Sequence, residues 1–132
     1  GGSNNSEAVT FQGKLDMFVT VTSVAAMLVM ASAPADNMEL ARKAYSNCVI
    51  ENVILHLDSK ANENTNKEAL PKLCQSERKS FFDAVVQYER SEGSNASEAK
   101  EFADEEVQMI LEDFTESYAE HLENGTRPEK EA

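Results

Sequence analysis

The chain has 132 residues, 41% of them hydrophobic, and its 24 acidic and 12 basic side chains give a formal net charge of −12. This length suits one compact domain. Because phosphates and anionic lipids repel an acidic protein, the charge argues against binding to nucleic acid or to membrane surfaces. Five glycines and three prolines are too few for a turn-rich β protein, so the composition favours an all-α fold.

Residues 17–35 form an uncharged segment of 19 residues, MFVTVTSVAAMLVMASAPA. Lys14 precedes this segment, and Ala33-Pro34-Ala35 ends it with the A-x-A pattern of a signal-peptide cleavage site. We therefore predict a signal peptide at 17–35, cleaved after Ala35, and a periplasmic or secreted mature protein. A retained membrane anchor is the alternative, because 18 or more uncharged residues can just span a bilayer. Residues 1–16 are predicted to be an unstructured extension or a cloning remnant.

Two helices are predicted between residues 36 and 92. The first spans about 36–58, with Asp36 as N-cap and apolar residues at steps of three and four. The second spans about 65–92, because Thr65 and Glu68 have the spacing of a capping box. Pro71 lies beyond the first turn of that helix, which predicts a break between residues 70 and 76 with Ser76 as a second N-cap.

The strongest apolar periodicity predicts a third helix at about 95–123. Asn95 and Glu98 form its capping pair, Gly125 ends it, and residues 124–132 are predicted to be a flexible tail. Its predicted apolar face comprises Ala96, Ala99, Ala103, Val107, Ile110, Phe114, Tyr118 and Leu122, widened by Phe102 and Leu111. The fold expected over residues 36–123 is an antiparallel three-helix bundle, or a four-helix one if Pro71 divides the second helix.

The two cysteines, Cys48 and Cys74, are predicted to form a disulfide between the first two helices. Ala61, in the predicted loop, lies 13 residues from each of them, so a helical hairpin brings both to the same height. An oxidising compartment favours the disulfide. In the chain-entropy model the bond stabilises the folded protein by about 3.5 kcal/mol relative to the unfolded chain. A reduced catalytic pair is the alternative, but this spacing differs from the C-x-x-C typical of redox sites.

The third predicted helix is strongly acidic. Between Glu98 and Glu123 there are ten acidic residues and one Lys, Lys100. Like charges four residues apart destabilise a helix, so we expect a basic partner surface, divalent cations or neighbouring basic side chains to offset them. The candidate interaction face comprises Glu101, Glu105, Glu112, Glu116 and Glu120, and the candidate neighbours are Arg42, Lys43, Arg78 and Lys79. A solvated face that keeps the protein soluble is the alternative.

The sequence contains no catalytic or metal-binding motif that spacing alone would select. It lacks G-x-S-x-G and a glycine-rich phosphate loop, and His56 and His121 have no metal-ligand spacing. Both histidines lie near predicted helix ends, where they complement the helix dipole. We therefore expect a protein that is not an enzyme and has no cofactor or metal. The alternative is a carrier of haem, ligated by Met38 and His121, or of a small apolar molecule in the bundle core.

The segments Ala44-Tyr45-Ser46-Asn47-Cys48 and Cys74-Gln75-Ser76-Glu77-Arg78, with Phe81, resemble a loose group of small exported helical proteins of Gram-negative bacteria. The resemblance covers about residues 36–90. It implies a helical fold and an exported location, and it implies no activity. From the absence of catalytic motifs and the acidic third helix, the expected role is protein interaction or protection of the cell envelope under stress.

Overall fold

The structure, a computed structural model, describes residues 33–132, and every regular element within them is helical. Helix α1 spans Pro34–Asp58, α2 spans Glu63–Ala69, α3 spans Gln75–Ser91 and α4 spans Ala96–Asn124. A short 3-10 helix, Leu70–Lys72, follows α2. The predicted extension at 1–16 and the predicted signal segment before residue 33 lie outside the described residues.

Helix α1 begins two residues before the predicted start. Its N-cap is Ala33, and Pro34 occupies the first helical turn, where a missing N–H costs nothing. Asp36 is therefore an acidic residue of the first turn and not the N-cap, and its N–H donates to the Ala33 carbonyl at 3.1 Å. The predicted cleavage point after Ala35 falls inside this turn.

Helix α2 is capped by Asn62, three residues before the predicted cap. The Asn62 Oδ1 accepts a hydrogen bond from the Thr65 N–H at 2.8 Å. Thr65 therefore contributes a backbone donor to the cap, and its side chain is not the capping group. Asparagine is a better N-cap than threonine, which explains why the helix begins earlier than the capping-box spacing indicated.

The break predicted around Pro71 is present, but the following helix is not capped by Ser76. The N-cap of α3 is Cys74, which has a left-handed backbone with a φ of 57°. The Pro71 carbonyl accepts hydrogen bonds from Arg78 Nη1 at 2.9 Å and from Gln75 Nε2 at 3.2 Å. Side chains of the first turn of α3 thus pair with a carbonyl freed by the interruption.

The core lies between α1, α3 and α4, and α3 packs against both of the other two. Tyr45 of α1 stacks on Phe81 of α3 with 6.1 Å between the ring centroids. The buried core cluster comprises Tyr45, Val49, Val53, Leu57, Leu70, Phe81, Val85, Ala103, Val107, Leu111 and Tyr118. The predicted apolar faces of the first and third helices therefore form most of the core.

Helix α4 has the predicted ends, but three residues of its predicted apolar face are exposed: Ala96 in the first turn, Phe102 and Leu122. The Asn95 Oδ1 accepts the Glu98 N–H at 2.9 Å, and Gly125 ends the helix with a φ of 68°. Phe102 and Leu122 are 40% and 37% exposed. Their neighbours along the buried face of α4 are alanine, valine, leucine and tyrosine, which fill the contact with α1 and α3 without them.

The segment predicted to be a flexible tail lies along α1. Arg127 forms an ion pair with Asp58, and Lys130 forms one with Glu51. Glu131 pairs with Arg42 at 2.8 Å. These contacts connect the last residues of the chain to most of the length of the first helix.

Candidate interaction surface

The five glutamates of the candidate interaction face all lie on α4 and all are exposed. At 100° per residue, Glu101, Glu105, Glu112, Glu116 and Glu120 fall within an arc of about 100° around the helix. This arc lies opposite the buried positions Ala103, Val107 and Tyr118. The structure therefore brings the five predicted residues together on one solvent-facing side of one helix.

None of these glutamates forms an ion pair within residues 33–132. Three of the four basic side chains considered as internal partners interact elsewhere: Arg42 with Glu39 and Glu131, Lys79 with Asp83, and Arg78 with the Pro71 carbonyl. The fourth, Lys43, forms no ion pair within residues 33–132. Each like-charge pair four residues apart destabilises a helix by about 0.2–0.5 kcal/mol. The burial of the opposite face of α4 is thus what maintains the helix against this repulsion.

Two exposed apolar side chains lie among the acidic residues. Phe102 is 40% exposed and Met109 is 55% exposed. The two residues are seven positions apart, which is about two helical turns, so they lie on the same side of α4 as each other and as the five glutamates. A shallow cleft beside Phe102 is lined by Glu89, Ser94, Glu98, Glu101 and Glu105. The apolar periodicity places Phe102 on the core face, so the sequence does not predict this feature. The signal available was the recurrence of large apolar residues at 102 and 109, between acidic positions.

The histidines have local hydrogen-bond partners. The Nδ1 of His56 lies 2.7 Å from Asn66 Oδ1, and the Nδ1 of His121 lies 2.8 Å from Thr126 Oγ1. His121 lines a cleft together with Leu57, near the end of α1. Met38 precedes Leu57 by 19 residues of the same helix, or about 28 Å. Met38 and His121 are therefore not positioned to ligate one haem iron.

The cleft that contains His121 has a volume of about 440 Å³ and lies where α1 and α4 end. Leu57 and Leu122 provide apolar surface, whereas Lys60 and Arg127 provide positive charge. Arg127 is already paired with Asp58. The basic groups also adjoin the carboxyl ends of two helices, where cations are favourable without any ligand.

Cys48 and Cys74 form a disulfide, as predicted, with 6.1 Å between their Cα atoms. Asn52 Nδ2 donates to the Cys48 carbonyl at 2.9 Å and lies 3.4 Å from Cys74 Sγ. Over residues 33–132, one group of three potential metal ligands is found, the two cysteine sulfurs with Glu77. In the disulfide neither sulfur is a thiolate, which is the form that binds a metal.

The chain matches no protein-family model, and comparisons with curated proteins and with solved structures find no similar protein. No described helix is long and apolar enough to cross a membrane. The structure and the comparisons together establish a small helical protein with one disulfide-bonded cysteine pair.

Proposed function

We propose that this protein is an exported, non-enzymatic interaction module that binds a basic protein surface through α4. We use the name α4 face for Glu101, Glu105, Glu112, Glu116 and Glu120 together with Phe102 and Met109. The observation that carries the proposal is that these glutamates are exposed without ion-pair partners in residues 33–132, beside two exposed apolar side chains. A purely solvating face needs the charges but not the apolar pair.

The α4 face favours a basic amphipathic helix as its partner. Phe102 and Met109 lie two helical turns apart, about 10.5 Å along the axis, which matches apolar residues at i and i+7 of a partner helix. Aromatic and methionine side chains are enriched at interface centres. Flanking glutamates would attract lysine and arginine, which raises the association rate and selects against acidic partners.

The proposal includes an antiparallel three-helix bundle and an exported location. The three long helices α1, α3 and α4 would form the bundle, with the short α2 as part of the connection between α1 and α3. The disulfide is compatible with an oxidising compartment, such as the periplasm or the cell exterior. The uncharged segment at 17–35 supports export through a signal peptide.

The test measures the affinity of a synthetic helical peptide with leucine on one face and lysine on the other. The triple variant Glu112→Gln, Glu116→Gln, Glu120→Gln should bind it about tenfold more weakly than the unmodified protein. Each lost charge at an exposed interface contributes about 0.5 kcal/mol, and about 1.4 kcal/mol corresponds to a factor of ten. Fluorescence anisotropy at two salt concentrations gives both the affinity and its electrostatic part.

The matched control is the triple variant Glu68→Gln, Glu92→Gln, Glu129→Gln, which changes the net charge equally at exposed sites outside the α4 face. It should bind the peptide within about twofold of the unmodified protein. Equal weakening in both triple variants would show that net charge alone attracts the peptide, and the proposal would be abandoned. Phe102→Ala with Met109→Ala should also weaken binding, with little change in salt dependence.

The carrier alternative has less support. The haem version required Met38 and His121 in one site, and about 28 Å of helix lies between their positions. A small molecule with an apolar part and a negative charge is the ligand that would suit the cleft at Leu57, Lys60 and Leu122.

A further inference from the structure

The last residues of the chain lie against α1 in a regular order. We call residues 126–132 the tail, and Arg42, Asn47, Glu51 and Asp58 the tail-binding face. Arg127 contacts Asp58, Lys130 contacts Glu51, and Glu131 contacts Asn47 and Arg42. The tail thus runs antiparallel to α1 and contacts it over more than four helical turns.

Asn47 pairs with the backbone of the tail. Its Nδ2 donates to the Glu131 carbonyl at 3.0 Å, and its Oδ1 accepts the Glu131 N–H at 2.8 Å. One side-chain amide thereby satisfies both polar groups of one peptide residue. This pairing recognises backbone and is independent of the side chain at that position.

Arg42 recognises the side chain of the same residue. Its Nη1 donates to Glu131 Oε2 at 3.0 Å and its Nη2 donates to Oε1 at 2.8 Å, which is a bidentate arrangement. Such pairs are stronger and more directional than single ion pairs. Together, Asn47 and Arg42 select a residue that has a carboxylate side chain and whose backbone N–H and carbonyl are both free to form hydrogen bonds.

The remaining contacts set the order of charges along the tail. Glu51 pairs with Lys130 and Asp58 pairs with Arg127. The tail-binding face is therefore complementary to a segment with a basic residue, two intervening residues, a second basic residue and then an acidic residue. Reversing the last two charges would place Lys opposite Arg42 and Glu opposite Glu51. The face therefore discriminates between peptides of identical composition.

The tail is also arranged so that it can be exchanged. No tail residue belongs to the buried core cluster, and the ion pairs along the tail are partly solvated. Exposed ion pairs are individually weak, so the tail is retained largely because it is tethered. Gly125, with its left-handed backbone, ends α4 and lets the chain turn toward α1.

We propose that the tail-binding face is a recognition site for an extended peptide of another protein, occupied in the free protein by its own tail. The partner segment carries a basic residue, two intervening residues, a second basic residue and an acidic residue. This site is separate from the α4 face, and neither proposal depends on the other.

The test opens the site in the full chain without altering α1. In the tail-swapped variant, Lys130→Glu with Glu131→Lys, the tail loses its complementarity to Glu51 and Arg42. A fluorescent peptide with the sequence of residues 125–132, GTRPEKEA, should then bind with a Kd of about 0.1 mM or below, because a tail tethered at an effective concentration of about 1 mM fills about nine tenths of the sites only at that affinity. The unmodified chain, with its site occupied, should bind at least about tenfold more weakly.

Three controls separate recognition from general charge attraction. The peptide GTRPEEKA, with the last two charges exchanged, should not bind the tail-swapped variant. Asn47→Ala in the tail-swapped background should weaken the binding of the peptide GTRPEKEA at least about tenfold, while the circular dichroism spectrum of the protein stays unchanged. Exchange of another exposed pair, Lys79→Glu with Asp83→Lys, should leave the site closed.

Equal affinity of the unmodified and tail-swapped chains for GTRPEKEA would overturn the proposal, as would the absence of binding at 1 mM. Sedimentation must also show the unmodified chain as a monomer. A dimer that disappears in the tail-swapped variant would mean that the occupant is the tail of a second copy, and the proposed partner would be wrong.

Discussion

Two buried tyrosines differ in what their hydroxyl groups contact. The Tyr118 hydroxyl donates to the Ala61 carbonyl at 2.6 Å, which joins α4 to the turn after α1. The Tyr45 hydroxyl has no hydrogen-bond partner among the protein groups of residues 33–132. Burial raises the pKa of both phenols, so both are neutral at physiological pH.

Replacement by phenylalanine should therefore affect the two positions unequally. Tyr118→Phe should lower the free energy of unfolding by about 1 kcal/mol, because the Ala61 carbonyl loses its partner. Tyr45→Phe should leave it unchanged or raise it slightly, since the ring still stacks on Phe81. Urea denaturation of both variants provides the comparison. A larger loss for Tyr45→Phe would indicate that its hydroxyl is hydrogen-bonded to ordered water.

At the scale of the helices, the short α2 depends on its cap. It has seven residues, fewer than an isolated helix needs, so its N-terminal hydrogen bond and its contacts with α4 maintain it. The disulfide contributes at the next element, because it joins the N-cap of α3 to the middle of α1. Closing a loop of this separation contributes about 3.5 kcal/mol in the chain-entropy model.

The position of the α2 cap can be measured by two substitutions. Asn62→Ala should lower the free energy of unfolding by about 1 kcal/mol, because the Thr65 N–H loses its acceptor. Thr65→Ala should cost less than half of that, since the Thr65 side chain does not provide the cap. Thermal unfolding of the two variants gives the ranking. A larger loss for Thr65→Ala than for Asn62→Ala would indicate that the helix is capped by a capping box at Thr65 and Glu68.

At the scale of the whole molecule, docking of the tail depends on pH through Glu131. The hydrogen bonds from Arg42 lower the pKa of the Glu131 carboxyl, and they lower the pKa of Glu39, which shares the same guanidinium. Lys43 acts on both carboxyls in the same direction. The pKa of Glu131 is lower when the tail is docked than when it is free. The ionised carboxylate therefore stabilises docking at pH values above the ordinary glutamate pKa of about 4.3.

The tail should accordingly detach from α1 as the pH falls through the lowered pKa of Glu131, which lies below the usual range of a glutamate carboxyl. Nuclear magnetic resonance of the Asn47 side-chain amide, which pairs with Glu131, reports the transition. Glu131→Gln keeps the backbone pairing but removes the titrating group, so its Asn47 signals should change much less over this range. The same titration midpoint in both proteins would contradict a role for Glu131.

Some features could be predicted because they depend on residues close together in the chain. The caps at Asn95 and Gly125 are local, and the break at Pro71 follows from one missing N–H. Local competition also explains the error at α2, where Asn62 and Thr65 are both acceptable caps three residues apart. The candidate glutamates share one side of α4 because helical periodicity alone places them there.

The sequence by itself therefore determined the helical class, the cysteine pairing and the acidic side of α4, because spacing along the chain and the chemistry of each residue type are enough for these. Tertiary structure decided that Phe102 and Met109 lie exposed among the acids, and that the tail lies along α1. Those outcomes depend on contacts between distant residues, such as Arg42 with Glu131. Periodicity indicates that a helix has an apolar side, whereas packing against the other helices decides which residues of that side are buried.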